Sequence, residues 1–175
     1  MEKGYYMKKR KGYPALIAFL WICFIVTVGV AAYLSFQNGI EAEAVGRQFT
    51  QYVADKVYSG RKLTEEELLQ LTYKIRQTGR VIIFFLIGIL GTATIHITFR
   101  KWRWTWKTGI AAGILLCVAY LTEKLKIYIP TRHYSYHEMM MSIAAVCMGF
   151  LLVSVITLCF YIFKNFFRLL GMAVH

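Results

Sequence analysis

The chain has 175 residues, of which 58% are hydrophobic and only 17% are charged. A soluble domain usually carries about a quarter of its residues charged, so this composition excludes an ordinary soluble protein. The formal net charge of +12 would indicate nucleic-acid binding in a soluble protein. Here the charge reports membrane orientation instead, because it flanks apolar runs, and we expect no nucleic-acid partner.

Three uncharged runs are each long enough to cross a membrane as a helix. They cover residues 14–36, 81–99 and 139–163, which are 23, 19 and 25 residues long. A bilayer core about 30 Å thick needs roughly 20 apolar residues in a helix. These runs predict an integral membrane protein. The length of the first run favours an uncleaved helix over a signal peptide.

A fourth span is predicted between the second and third of these runs. Only 15 uncharged residues separate Lys107 from Glu123, which is short for a crossing. Extending the helix to Ile129, just before Pro130, gives a normal length. The predicted fold class is an all-α integral membrane protein, a four-transmembrane-helix bundle formed as one domain over residues 1–175. Its spans are expected near residues 14–36, 80–99, 107–129 and 138–163.

The polar segment at residues 37–79 separates the first two spans. Apolar residues recur at helical spacing from Val45 through Phe49 to Val57. A second helix is predicted to start at Thr64, which has the capping-box pattern with the glutamate three residues later. We expect two outward-facing amphipathic helices that lie on the membrane surface or cap the bundle. A partner-binding surface is the alternative.

Lysine and arginine are concentrated on one predicted side of the membrane. The N-terminal segment holds five, the loop at residues 100–107 holds four, and the C-terminal tail adds Lys164 and Arg168. The segment at residues 37–79 balances six acids with six bases. Positively charged loops remain cytoplasmic, so both termini should be cytoplasmic and residues 37–79 and 123–138 should face outward. The tryptophans of the 100–107 loop are predicted to be interface anchors.

Small residues at a spacing of four occur in both of the last two predicted spans. Gly109 and Gly113 form a GxxxG pattern, and Ala145 and Gly149 form its small-residue relative. Such spacing lets helix backbones approach closely. The pattern predicts that the third and fourth spans pack against each other.

After residue 80 and outside the 100–107 loop, most charged residues lie at or between the ends of the third and fourth predicted spans. Glu123 and Lys126 are three residues apart on a helix, close enough to pair, and Glu138 opens the fourth helix. Ionisable groups at membrane depth are costly and usually face partners or a cavity. We therefore predict a polar cluster. Its predicted members are Glu123, Lys126, Arg132, His137, Glu138 and Ser142.

This cluster has three interpretations. Its groups neutralise one another and hold the hairpin, or they bind a polar headgroup with Arg132 contacting a phosphate or carboxylate. In the third interpretation, the carboxylates act as a general acid or base in catalysis. No nucleophile elbow, metal triad or phosphate loop lies beside them in the sequence. The sequence therefore predicts no catalytic residue, no metal site and no cofactor, and it disfavours an enzyme without excluding one.

The order of these residues resembles the VanZ-like family. The resemblance covers roughly residues 14–160, including the four-helix layout, and echoes of the family occur at residues 34–37 and 75–80. The positions that correspond to the family pattern are Glu123, Lys126, Pro130, Arg132, Glu138, Ser142 and Gly149. The chain departs from the family pattern at Lys126, where the family has Gln, at Thr131, where it has Gly, at Glu138, where it has Asp, and at Ser142, where it has Asn.

The resemblance implies a multi-pass plasma-membrane protein of a bacterium, specifically a Gram-positive one. It also implies a link to resistance against glycopeptide antibiotics such as teicoplanin, and it names no reaction. The first functional hypothesis is therefore a VanZ-like envelope protein whose outward cluster binds a lipid or lipid-linked headgroup. Its partners would be membrane lipids and a lipid-linked cell-wall intermediate.

Two other hypotheses come from different functional classes. One is a small membrane enzyme that acts on lipid-linked intermediates, with Glu123 or Glu138 as acid or base. The other is a transporter or scaffold subunit. Four helices leave little room for a pathway within one protomer, so this hypothesis requires a homo-oligomer formed through the small-residue faces.

Overall fold

The computed structural model describes residues 12–36, 46–52, 64–128 and 135–173 of the chain. Within these ranges the backbone is helical apart from short turns, and no strand occurs among them. The helices are α1 (Gly12–Phe36), α2 (residues 46–52), α3 (Glu65–Thr98), α4 (Trp104–Lys124) and α5 (Tyr136–Ala173), with a 3-10 turn at Leu125–Tyr128 after α4.

Three stretches of these helices are long and apolar enough to cross a membrane: Pro14–Phe36, Glu65–Thr98 and Tyr136–Arg168. Their outward faces carry large apolar side chains, among them Phe19 at 61% exposure and Phe160 at 72%. Such extended apolar surfaces are rare on soluble monomers and mark contact with lipid or with other proteins. The all-helical prediction is confirmed for the described residues, and the apolar helices indicate a membrane-spanning protein.

α3 begins with the predicted capping box. The Thr64 hydroxyl accepts a hydrogen bond from the Glu67 amide at 3.4 Å, and the Thr64 amide donates to Glu67 Oε2 at 3.0 Å. The helix then continues without a break through Gly79 to Thr98. The prediction of a separate second amphipathic helix was therefore wrong. A single glycine with no neighbouring proline costs a helix only about 1 kcal/mol, which does not end it.

α2 packs against the first half of α3 through small and hydroxylated residues. The Thr72 hydroxyl donates a hydrogen bond to the Thr50 hydroxyl at 3.1 Å, and both residues are buried. A Cβ added at Gly46 would lie 3.1 Å from the Thr72 methyl carbon. By contrast Phe49, which belongs to the predicted apolar stripe, is 56% exposed. Val45 and Val57 of that stripe lie outside the described residues.

The core of the bundle is formed where α1, α3, α4 and α5 meet. Phe24 of α1 and Leu115 of α4 both pack against Gly91 of α3, where an added Cβ would lie 2.8 Å from the Phe24 ring. The Trp21 indole donates a hydrogen bond to the Thr98 hydroxyl at 3.1 Å, which joins the start of α1 to the end of α3. Trp21 precedes Phe24 on α1 whereas Thr98 follows Gly91 on α3, so these two helices run antiparallel. The remaining buried core residues are Ala31, Phe84, Ile87, Ala119, Ala145 and Val146.

α3 and α5 run parallel, and their backbones approach closely at Gly88 and Gly149. A Cβ added at Gly88 would lie 3.1 Å from Gly149 Cα and would overlap the carbonyl oxygen of Val146. Gly109 and Gly113 of α4 have no atom within 4 Å of such a Cβ. The predicted packing of the third and fourth spans is confirmed, because α4 contacts α5. Gly109 and Gly113 do not mediate that contact. Gly149 instead packs against α3, which contains the second predicted span. Only a glycine at this position lets the backbones of α3 and α5 come into contact.

α4 is shorter than the predicted third span. It has 21 residues, which is about 31 Å at 1.5 Å per residue. The α-helix ends at Lys124 and tightens into the 3-10 turn, where the Leu125 amide bonds to the carbonyl oxygens of Leu121 and Glu123. The predicted end at Ile129 lies outside the described residues.

Candidate functional site

Glu123 and Lys126 form a salt bridge that is closed off from the surface. Lys126 Nζ lies 2.6 Å from Glu123 Oε2 and donates a hydrogen bond to it. The two side chains are 0% and 1% exposed. The change from α-helix to 3-10 turn after Lys124 positions the lysine one tight turn beyond the glutamate. The predicted pairing of these residues is confirmed.

Glu138 connects this buried pair to α3. Its Oε2 lies 3.5 Å from Lys126 Nζ and 2.6 Å from Nη1 of Arg80. Glu138 is in the first turn of α5, where a carboxylate also interacts favourably with the helix dipole. One carboxylate therefore links side chains from α3, from the turn after α4 and from α5.

Ser142 completes the cluster one turn further along α5. Its hydroxyl lies 3.4 Å from Glu123 Oε1 and 3.1 Å from the backbone carbonyl of Glu138. Ser142 is completely buried. Oε2 of Glu123 bonds to Lys126 and Oε1 lies beside Ser142, so each oxygen of this carboxylate has a polar partner. We call Arg80, Glu123, Lys126, Glu138 and Ser142 the polar cluster.

Two predicted members are not part of the polar cluster as described. Arg132 lies outside the described residues, as do Pro130 and Thr131. His137 is exposed at the start of α5. Of the six residues predicted from the sequence, the structure brings together Glu123, Lys126, Glu138 and Ser142.

Arg80 is the member that the site prediction omitted. It lies more than 40 residues before Glu123 in the sequence, so helical spacing alone does not connect the two. One signal was present, because Arg80 is the last charge before the uncharged run of residues 81–99. A charged residue at the edge of a span usually has a partner, and the unmatched acid was Glu138.

The formal charges of the polar cluster cancel. Two carboxylates face one guanidinium and one ammonium group, and the hydroxyl of Ser142 adds a neutral partner. Burial is uneven, because Glu123 and Lys126 are sealed whereas the Arg80 and Glu138 side chains are 14% and 23% exposed. The Arg80–Glu138 pair is therefore the accessible edge of the cluster.

This arrangement limits the chemistry of the cluster. A general base must reach the proton that it removes, and Glu123 is both inaccessible and committed to Lys126 and Ser142. Glu138 is the carboxylate that a ligand can approach. Among the described residues, no group of three or more histidine, cysteine or acidic side chains is arranged to hold a metal ion.

Comparisons of the chain with protein-family models, with curated proteins and with solved structures found no match. The resemblance to the VanZ-like family therefore stays a prediction from the sequence.

Proposed function

We propose that this chain is a VanZ-like membrane protein of the bacterial envelope, which holds the polar headgroup of a lipid or lipid-linked cell-wall intermediate at the Arg80–Glu138 edge of its polar cluster. It binds this headgroup without converting it. The observation that carries the proposal is the uneven burial of the cluster. A sealed, neutral pair supports a second pair that remains accessible.

The cost of the cluster supports a binding role. Four ionisable groups lie beside helices that are apolar enough to span a membrane, and such groups are rare there unless they serve a ligand or a pathway. A structural hairpin lock would need only Glu123 and Lys126. The additional ion pair from α3 extends the charge toward the surface of the bundle.

Arginine suits headgroup recognition. Its planar guanidinium presents several donors in a fixed fork, and Nη1 of Arg80 lies 2.6 Å from Glu138 Oε2. A phosphate or carboxylate of a headgroup can bind the remaining donors, and the hydroxyl groups of a sugar can donate to Glu138. Because the cluster is neutral overall, we expect a ligand that offers both an anionic group and hydroxyl groups.

The membrane arrangement that we propose has α4 as a fourth span. Both termini and the 100–107 loop would then be cytoplasmic, and α2, the first turns of α3 and the polar cluster would face outward. The basic residues of the 100–107 loop and the balanced charge of residues 37–79 support this orientation. Exposed Phe49 and Tyr52 of α2 would contact the outer membrane surface.

An enzyme is the alternative, with Glu138 as its acid or base. The geometry favours binding over this alternative, because Glu138 is held between two cations that stabilise its ionised form. Among the described residues, its carboxylate contacts only these two cations. The oligomeric transporter or scaffold subunit stays a prediction from the sequence, and Gly109 and Gly113 do not mediate packing between the described helices.

The test compares Arg80→Ala with Arg76→Ala, which removes an exposed arginine one turn earlier on α3. Each variant is expressed to an equal level in a bacterial membrane. Lipids that co-purify are then identified by mass spectrometry, and teicoplanin susceptibility is measured. We expect Arg80→Ala to lose a specific co-purifying lipid and to be more susceptible, while Arg76→Ala behaves as the wild type.

Arg80→Lys separates binding from folding. It keeps the positive charge beside Glu138 and removes the fork, so the fold should be retained while headgroup binding falls. If Arg80→Ala and Arg80→Lys are both folded and match the wild type in lipid content and susceptibility, the proposed function is wrong.

A further inference from the structure

A second polar feature lies at the opposite end of the bundle. A cavity of about 1060 Å³ lies among the first turns of α1 and α4, the last turn of α3 and the second half of α5. Its residue His96 is 16 positions after Arg80 on α3, or about 24 Å along the helix. The volume is slightly above the roughly 300–1,000 Å³ that small-molecule sites occupy. We call it the basic cavity.

The charges that line the basic cavity all have one sign. Its cationic side chains are those of Arg100, Arg103, Lys107 and Lys164, and no aspartate or glutamate of the described ranges lines it. After Glu67, the only acids in the whole chain are Glu123 and Glu138. Both belong to the polar cluster at the opposite end of the bundle.

His96 adds an observation that is independent of charge. It lines the cavity and is 8% exposed. Its Nε2 atom is buried and has no hydrogen-bond partner among the residues that the structure describes. Burying a polar atom without a partner costs free energy, and such atoms in native proteins usually receive a partner from a water, an ion or a ligand.

The start of α4 also presents hydrogen-bond donors to this end of the bundle. Arg103 is the residue that caps the helix, and its side chain makes no capping hydrogen bond. The first amide groups of the 21-residue helix therefore have no side-chain partner at the cap, beside the cavity-lining residues Trp104 and Thr105. Amides at a helix N-terminus favour anions, and phosphate groups above all.

Part of the wall of the basic cavity is apolar. The Trp104 indole donates a hydrogen bond to the Thr157 hydroxyl at 3.4 Å, which joins α4 to α5. Leu16 and Leu158 supply aliphatic surface. Trp102 and Trp106 are 51% and 66% exposed, as side chains at a lipid–water interface often are. A ligand that fits these walls has an apolar part beside its anionic part.

We propose that the basic cavity binds the phosphate headgroup of an anionic phospholipid. Arg103, Lys107 and Lys164 contact the phosphate, and His96 Nε2 bonds to the phosphate or to a headgroup hydroxyl. The acyl chains extend along the apolar surface of α1 and α5. Basic pockets between membrane helices hold such headgroups by combining charge with hydrogen bonding. This site is separate from the polar cluster and does not depend on the function proposed for it.

The experiment measures binding of phosphatidylglycerol to the purified full-length chain by native mass spectrometry, in detergent with equal amounts of phosphatidylcholine. Lys107→Gln/Lys164→Gln removes two cations that line the cavity. Lys101→Gln/Arg168→Gln removes two exposed cations from the same end of the bundle outside it. We expect a preference for phosphatidylglycerol that falls at least about tenfold in the first variant and stays within about twofold in the second.

His96→Leu distinguishes a binding role from a structural one. Because Nε2 has no partner to lose among the described residues, the lipid-free variant should melt at or above the wild-type temperature. Its affinity for phosphatidylglycerol should fall, and the added lipid should raise its melting temperature less than it raises that of the wild type.

Three results would overturn the proposal. One is an equal loss of lipid in both double variants, which would make the effect one of general surface charge. Another is inorganic phosphate, at the same concentration, raising the melting temperature as much as phosphatidylglycerol, which would make the ligand a free anion. The third is a His96→Leu variant with unchanged lipid affinity.

Discussion

Lys126 lies 2.6 Å from Glu123, and neither side chain reaches the surface. Taking two charges out of water costs several kcal/mol for each ion, and their attraction compensates only when the geometry is good. This pair therefore holds the end of α4 against α5, because Glu123 also contacts Ser142. Removing one partner leaves the other charge buried and uncompensated, and the resulting loss of stability shows how strongly the fold depends on the pair.

Removing one member of the sealed pair should destabilise the protein strongly. Among the described residues, Lys126→Met leaves the buried Glu123 carboxylate with only Ser142 as a partner. We expect a loss of about 3–5 kcal/mol in the free energy of unfolding. The double variant Glu123→Leu/Lys126→Met removes both charges and should be close to the wild type, because Arg80 and Glu138 still pair. Thermal unfolding, monitored by size-exclusion chromatography, measures the stability of the single and the double variant. A double variant as unstable as the single one would contradict this.

Gly88 should tolerate no side chain. In Gly88→Ala the new methyl group would overlap the Val146 carbonyl and separate α3 from α5, with an expected cost of about 1–3 kcal/mol. Gly113→Ala is the matched control, because an added Cβ there meets nothing within 4 Å. It should be neutral or stabilising by up to about 1 kcal/mol. Melting temperatures of the two variants in the same detergent decide the matter, and equal shifts would exclude the close approach.

Thr64→Ala should loosen the start of α3. The substitution removes the oxygen that accepts from the Glu67 amide, and losing such a cap costs about 0.5–2 kcal/mol. We expect faster hydrogen exchange in residues 65–68 and little change near Gly88. Glu66→Ala serves as control, since Glu66 is exposed and is not part of the capping box. If both variants exchange alike, the capping box does not control this helix end.

Thr72→Val should release α2 from α3. Valine keeps the shape of threonine but loses the hydroxyl that bonds to Thr50 and to the Leu68 carbonyl. The Thr50 hydroxyl still bonds to the Gly46 carbonyl, so we expect a cost of about 0.5–1.5 kcal/mol. Residues 46–52 should lose protection in hydrogen-exchange mass spectrometry. Thr78→Val, at an exposed position on α3, is the comparison variant. Unchanged protection in Thr72→Val would mean that α2 is held by other contacts.

The proposed membrane orientation predicts sided labelling of single cysteines. In a background with the four native cysteines replaced, Gln51→Cys should react with an impermeant maleimide added outside intact cells. Lys101→Cys should react only after the cells are lysed, because the 100–107 loop is basic and should be cytoplasmic. Both positions are exposed, so accessibility alone does not separate them. The opposite labelling pattern would invert the topology.

The sequence by itself determined the helical, membrane-spanning class of this protein. Apolar runs of 19 to 25 residues leave a bilayer as the only solvent in which such surfaces are stable, and only helices satisfy the backbone within one segment. It also determined contacts within a few residues. The capping box at Thr64 and the pairing of Glu123 with Lys126 follow from helical spacing alone.

The tertiary structure decided which helices touch. Gly109, Gly113 and Gly149 share the same local pattern, yet only Gly149 meets another backbone, because contact depends on how the whole bundle is arranged. In the same way, Arg80 joined the polar cluster only when α3 and α5 were placed side by side. Periodicity orients a side chain on its own helix but does not specify the helix that it faces. For a charge in a membrane, that partner determines whether burial is tolerated.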